Sequence, residues 1–253
     1  AGNLGGRSKH ANFQCASGET AGTTLSVNNP PDNSFINILW QSDDDDEHVI
    51  LTPPGDSEPI DIGEFGSITG SAYSLESDNI SAYVFPDTST RGTNRLIVQV
   101  SSSEHFWDSG TWLVSVSNPS GATVTVDAYA WDTQWHYTNL RFTSRVDNRR
   151  TISSPGTADL GVAVGSSSET GEGISSTSSE GPRIDGSIKP EVVAPGETIN
   201  AARNSLSSLW TSKSGTSMAA PHVAGVIALI RQASGSVNGW TDLSSLYQGA
   251  GGA

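Results

Sequence analysis

Between residues 9 and 145, short apolar runs with a two-residue period alternate with clusters of turn-forming residues. This period predicts strands that bury one face; in one of them, Trp112, Val114 and Val116 share a face. The predicted strands span residues 23–27, 35–41, 48–51, 80–85, 95–100, 111–116 and 122–130. Many short strands without a long helical period predict an all-β sandwich. We also expect residues 118–121 to join the last two strands as a hairpin.

A different pattern follows near the end of the chain. From Ala219 to Ile230, apolar residues occupy most of the circumference of a helix, which predicts a helix buried inside a larger protein. Gly215 and Thr216 precede it in a tight turn, so Ser217 is expected in the first helical turn. Unpaired N–H groups and the helix dipole favour negative charge there. Ser217 is therefore either a helix cap or a stabilised nucleophile.

The string G-T-S-M-A-A-P-H-V-A-G at residues 215–225 resembles the serine motif of the subtilisin-like serine proteases (subtilases) over eleven consecutive positions. This resemblance implies that Ser217 is the nucleophile. The opening A-G-N-L-G is similar to the family's oxyanion element, which implies that Asn3 donates its side-chain amide to the oxyanion beside the Ser217 N–H. His222 belongs to the serine motif itself and is expected to be structural.

Residues 151–165 are similar to the family segment that passes the S1 pocket. The resemblance implies that Ser154, Pro155 and Gly156 form part of the pocket wall and that the Ser154–Pro155 bond is cis. Residues 174–183 and 188–196 match the family strings S-S-x-G-P and K-P-[DE]-V-[VM]-A-P-G. Strands are expected at residues 160–164 and 192–194, with a hairpin formed by residues 198–202 and 209–212.

The predicted fold class is therefore α/β, a partial subtilisin-like parallel-sheet domain interrupted by an all-β sandwich. The second half of the catalytic domain is expected at residues 1–8 and 149–253, and the inserted module at residues 9–148. A jelly-roll-like class is inferred for the module from its Gly-x-Trp strand pair, which is similar to modules inserted in some bacterial subtilases.

No residue of the chain matches the sequence element that carries the family's general base. In the family, Asp and His precede the oxyanion asparagine, and none of the five histidines here is followed by the glycine of the H-G-[TS] element. Asp108-Ser109-Gly110 comes after Asn3 and is interpreted as a turn. The Asp and His are therefore expected upstream of Ala1, in the missing N-terminal half of the catalytic domain. The chain alone is expected to be inactive and marginally stable.

Composition narrows the partners and the compartment. Thirteen basic against 27 acidic residues give a net charge of -14, which argues against nucleic acid and anionic membranes. No apolar run is long enough to span a bilayer. The single cysteine, Cys15, excludes an intrachain disulfide and is expected to be half-buried. The expected location is extracellular or in the cell envelope.

Two clusters allow alternatives. The run Asp43-Asp44-Asp45-Asp46-Glu47 could bind structural calcium, but a solvated turn is the favoured interpretation because the spaced pattern of a calcium loop is absent. Trp131, Trp135, His136 and Tyr137 are interpreted as packing residues in preference to a sugar-binding platform.

The leading hypothesis is a serine endopeptidase acting on protein or peptide substrates through Ser217 and Asn3, with no cofactor required for the chemistry. The alternative is an inactive scaffold that presents the sandwich for binding. A carbohydrate-binding module is a third, weaker hypothesis. The presence of a triad Asp and His upstream of Ala1 would favour the endopeptidase over the inactive scaffold.

Overall fold

A computed structural model describes residues 1–28, 33–55, 57–70, 72–101, 106–132, 139–204 and 208–234. The chain divides into two compact units. The split unit comprises Ala1–Gly6 and Asn148–Ala253, and the β unit comprises Arg7–Asp147.

The β unit contains two antiparallel sheets. Its strands are β1 (His10–Cys15), β2 (Glu19–Val27), β3 (Asn33–Trp40), β4 (His48–Thr52), β5 (Ile60–Glu64), β6 (Tyr73–Glu76), β7 (Ile80–Thr88), β8 (Asn94–Ser101), β9 (Phe106–Trp107), β10 (Gly110–Asn118), β11 (Val124–Asp132) and β12 (Leu140–Phe142). A single turn of helix, α1 (Phe65–Ile68), follows β5. One sheet has the order β1-β11-β3-β8-β7-β6 with β9 paired to β7, and the other has the order β12-β2-β10-β4-β5.

The two sheets share one hydrophobic core, built from the alternating positions of their strands. Trp112, Val114 and Val116 of β10 are fully buried, and so are Val126 and Ala128 of β11. The Trp107 and Trp112 rings meet edge to face, with their centroids 5.3 Å apart. All seven predicted strands are present, with ends that differ from the predicted ones by a few residues.

The predicted hairpin between the last two of these strands is wrong. β10 pairs with β2 and β4, whereas β11 pairs with β1 and β3, so the loop between them crosses from one sheet to the other. Two adjacent amphipathic strands bury their apolar faces equally well as a hairpin or on opposite sides of one core, and a turn sequence does not separate these cases. The side-chain amide of Asn118 closes the loop by donating to the carbonyls of Cys15 and Ala122.

Several polar groups are buried in the β unit. His10 bonds through Nε2 to Asp127 Oδ1 at 2.8 Å and through Nδ1 to the Asp147 carbonyl at 2.9 Å. Lys9 is 4% exposed and donates to the Leu140 carbonyl, and burial lowers its pKa to about 8. Cys15 is fully buried instead of half-buried, and desolvation raises the pKa of its thiol.

The described part of the split unit contains fewer strands than the β unit. β13 (Val164–Ser167) pairs in parallel with β14 (Val192–Pro195), and β15 (Ile199–Ala202) pairs antiparallel with β16 (Trp210–Lys213), which confirms the second predicted hairpin. The long helix α2 (Thr216–Ser234) packs its buried residues Ala219 and Val223 against the β13–β14 pair.

Two predictions for this unit need correction. The strand predicted at residues 160–164 begins only at Val164, because a turn in which the Gly161 N–H donates to the Ala158 carbonyl precedes it and leaves Leu160 78% exposed. Helix α2 is not buried all round, since Val226 and Leu229 are 55% and 66% exposed. No helix among the described residues combines the length and apolar character needed to cross a bilayer.

Candidate active site

Residues Ala1–Gly6 are held in place by main-chain hydrogen bonds to two later segments. The Ser153 N–H donates to the Ala1 carbonyl at 2.9 Å, and the Ser179 N–H donates to the Gly2 carbonyl at 2.9 Å. The Leu4 N–H donates to Ser179 Oγ at 3.0 Å. Asn3 is thus carried by a loop that is fixed on both sides of it.

The turn before α2 requires glycine at its first position. Gly215 has a φ of +138°, and its N–H donates to the Gly196 carbonyl at 2.7 Å. A Cβ at Gly215 would also lie 3.0 Å from Asn3 Nδ2. Glycine therefore serves both the backbone conformation and the close approach of the Asn3 loop.

Helix α2 starts at Thr216, and Ser217 is exposed in its first turn. The Thr216 N–H donates to Asn3 Oδ1 at 2.9 Å, and the Met218 N–H donates to the Gly215 carbonyl at 2.9 Å. Within the described residues, the Ser217 N–H has no acceptor. It is one of the unpaired donors that a helix start offers to an anion.

The orientation of the Asn3 side chain follows from its hydrogen bonds. Asn3 Oδ1 accepts from both the N–H and the hydroxyl of Thr216, the latter at 3.2 Å. Because a backbone N–H can donate only to the amide oxygen, the Nδ2 group faces the other way. No described residue accepts a hydrogen bond from Asn3 Nδ2, which leaves it available as a second donor.

Thr216 makes contacts that its place in a turn of small residues does not predict. It is 5% exposed, and its hydroxyl accepts from the Gly2 N–H at 3.1 Å while donating to Asn3 Oδ1. One hydroxyl therefore ties the Asn3 loop to the start of α2. A hydroxyl residue immediately before the candidate nucleophile was the available signal.

The predicted pocket-wall residues lie in a tight turn. The Gly156 N–H donates to the Ser153 carbonyl at 2.8 Å, and Ser154 and Pro155 are exposed. The Ser154–Pro155 bond is cis, as predicted. A Cβ at Gly156 would lie 3.6 Å from the Ala1 Cα, so this turn adjoins the start of the Asn3 loop.

No described histidine contacts Ser217. His222, the only histidine of the split unit, bonds through Nδ1 to the Met218 carbonyl of its own helix at 2.8 Å. A ring held there cannot act as the base for Ser217, in agreement with its expected structural role. One group of described residues has the spacing of metal ligands, Asp44, Asp46 and Glu47, and it lies in the β unit.

A subtilase family model matches residues 77–247, which is more than half of the chain. The chain therefore belongs to the subtilase family.

Individual relatives agree with this assignment. The chain is 54% identical over 57 residues to pyrolysin of Pyrococcus furiosus, a match that covers 21% of the chain and 4% of pyrolysin. It is 36% identical over 101 residues to the serine protease AprX of Bacillus subtilis, covering 33% of the chain and 23% of AprX.

The fold is similar to that of the CspB protease of Clostridium perfringens, with a TM-score of 0.70 and 23% identity. This likeness covers 92% of the chain and 47% of the CspB chain. The chain thus spans less than half the length of each of these relatives.

Proposed function

We propose that this chain supplies the nucleophile and the oxyanion hole of a subtilisin-like serine endopeptidase. The observation that carries the proposal is the arrangement at the start of α2. There the exposed Ser217 is accompanied by two N–H donors, its own and Asn3 Nδ2, for which the described residues offer no acceptor.

The proposed reaction is acyl transfer. Ser217 Oγ attacks the scissile carbonyl carbon as a histidine removes its proton, and the carbonyl oxygen becomes an oxyanion held by Asn3 Nδ2 and the Ser217 N–H. Collapse of the tetrahedral intermediate breaks the C–N bond, and the histidine returns the proton to the leaving amine. Water then hydrolyses the acyl-enzyme by the same steps. No cofactor takes part in this sequence.

The substrates we propose are protein or peptide segments bound in an extended form. The exposed turn containing Ser154, Pro155 and Gly156 would form part of the wall of the pocket for the residue before the scissile bond. The proposed location, extracellular or in the cell envelope, is consistent with the acidic composition of the chain.

The histidine and the aspartate of the triad are proposed to come from a preceding half of the catalytic domain. The apolar side of α2 supports this proposal, because Val226 and Leu229 are more than half exposed in the split unit. Burying them against further strands would remove a large apolar surface from water. The chain alone would then have no peptidase activity.

The β unit is proposed to be an inserted, jelly-roll-like module that limits substrate access or sets a partner. It lies in sequence between Asn3 and Ser154, two residues assigned to the active site. Among the described residues, its hydrophobic core contains only residues of the β unit, and its two sheets contain only strands β1–β12. This is what we expect of a module that packs by itself.

The test is to determine the coding sequence upstream of Ala1 and to assay the protein expressed from its natural start codon on casein and short peptides. We expect the upstream sequence to contain a strand ending in Asp-[Thr/Ser]-Gly, followed by a His-Gly-[Thr/Ser] element. We also expect turnover of these substrates, and Ser217→Ala should abolish it. If both elements are missing and turnover is absent, the chain is the inactive scaffold that presents the β unit.

A further inference from the structure

The β unit buries a carboxylate that is only partly satisfied. Glu47 is 0% exposed, and its Oε2 accepts from the Trp40 indole N–H at 2.9 Å and from the Ser42 hydroxyl at 2.8 Å. Its Oε1 is buried and has no hydrogen-bond partner among the described residues. An ionised carboxylate in that position requires compensation, since its desolvation costs several kcal/mol.

Two more carboxylates lie beside it. One oxygen from each of Asp44, Asp46 and Glu47 lies within 4.8 Å of the other two. Asp46 Oδ1 is also buried without a hydrogen-bond partner. Three carboxylates this close repel one another unless a proton or a cation lies between them.

The geometry of this acidic trio (Asp44, Asp46 and Glu47) is fixed from outside. The Ser120 hydroxyl donates to Asp46 Oδ2 at 2.6 Å and lies 3.2 Å from Asp44 Oδ2. A Cβ at Gly121 would collide with the Asp44 carboxylate, so the loop after β10 closes directly onto it. The trio is therefore oriented by its neighbours while two buried oxygens stay without partners.

We propose that the acidic trio is a calcium site of the β unit. Ca²⁺ takes carboxylate oxygens in irregular, flexible arrangements and accepts waters as further ligands. This suits one exposed aspartate, one half-buried aspartate and one buried glutamate. Mg²⁺ fits less well because it demands near-ideal octahedral geometry and dehydrates reluctantly. The bound ion would neutralise Glu47 and Asp46, and it would join the loop before β4 to the loop after β10. The site is independent of peptidase chemistry and would stabilise the β unit alone.

Terbium luminescence is a direct test, since Tb³⁺ binds calcium sites and is excited through a nearby tryptophan. Trp40, hydrogen-bonded to Glu47, is such a sensitiser. We expect saturable Tb³⁺ emission from the protein expressed from its natural start codon. Ca²⁺ should reverse this emission, whereas Mg²⁺ at ten times the effective Ca²⁺ concentration should not. Calcium at about 100 times its Kd should raise the Tm by roughly 5–10 °C.

Three variants locate the ion. Asp44→Asn, at an exposed position, and Glu47→Gln should each weaken Ca²⁺ binding by roughly tenfold or more, because each removes a charged ligand. Asp43→Asn removes the same charge from an exposed neighbour outside the trio and should bind as the parent does.

Two outcomes would overturn the proposal. One is that neither Tb³⁺ emission nor a calcium-dependent Tm appears at millimolar calcium. Glu47→Gln would then be as stable as the parent both with and without calcium. The other is equal weakening by Asp43→Asn and Asp44→Asn, which would mean a diffuse attraction of cations to the loop.

Discussion

Asn3 has two functions at the proposed site, and two substitutions separate them. Its Oδ1 accepts hydrogen bonds from Thr216, whereas its Nδ2 is the proposed donor to the oxyanion. Asn3→Asp keeps an oxygen in the accepting position but removes the donor. Asn3→Leu has a similar shape and removes both.

The two variants are expected to differ in stability but not in the loss of activity. Loss of one oxyanion donor lowers kcat by about 100- to 1,000-fold, and both variants should show at least this loss. Asn3→Leu also leaves the N–H of the buried Thr216 without a partner, at a cost of about 1–3 kcal/mol of unfolding free energy. Its Tm should fall by roughly 2–10 °C, while the Tm of Asn3→Asp should stay close to that of the parent.

The assay is steady-state hydrolysis of a chromogenic peptide by the protein expressed from its natural start codon, with thermal unfolding measured on the same samples. Ser217→Ala gives the background rate. If Asn3→Asp retains kcat within about threefold of the parent, Asn3 is not an oxyanion donor. A loss of activity in Asn3→Leu alone would mean that the residue acts only by holding Thr216.

Three further predictions concern other parts of the chain. Thr216→Val should lower kcat by roughly two- to tenfold, because it removes the hydroxyl that holds the Asn3 loop. Thr216→Ser keeps the hydroxyl and should have the kcat of the parent. Equal kcat values in the two variants would show that the hydroxyl does not position Asn3. Burial lowers the pKa of Lys9 from 10.5 to about 8. Between pH 8 and pH 10.5 the unfolded chain therefore binds more protons than the folded chain, and the free energy of unfolding should rise with pH in this window. Denaturant titrations should show that Lys9→Met lacks this rise, and parallel curves for parent and variant would contradict it. Deleting residues 9–145 should change the preference among large protein substrates, and unchanged kinetics on them would remove the proposed gating role.

The strands of the β unit were predictable because burial of one face leaves a period of two in the sequence. Trp112, Val114 and Val116 are fully buried as that period predicts. Which strands pair was not predictable, because β10 and β11 carry the same pattern whether they lie in one sheet or two. Short strands such as β12 (Leu140–Phe142) are too brief to show a period.

In the split unit, the motif indicated Ser217 and Asn3, but not how the two are connected. That connection is made partly by the Thr216 hydroxyl, whose one signal in the sequence is its place directly before Ser217. Main-chain groups make the rest, and they leave no side-chain pattern. Leu160 is a case in which the apolar pattern predicts too much. The pattern places this residue in a strand, although the turn at Gly161 leaves it exposed.

The most direct test of the proposed function is labelling with a fluorophosphonate, which reacts with the activated serine of serine hydrolases. The protein expressed from its natural start codon should be labelled at Ser217, as mapped by peptide mass spectrometry, and Ser217→Ala should not react. Absence of label, or label on another residue while Ser217 stays unmodified, would contradict the assignment of Ser217 as the nucleophile.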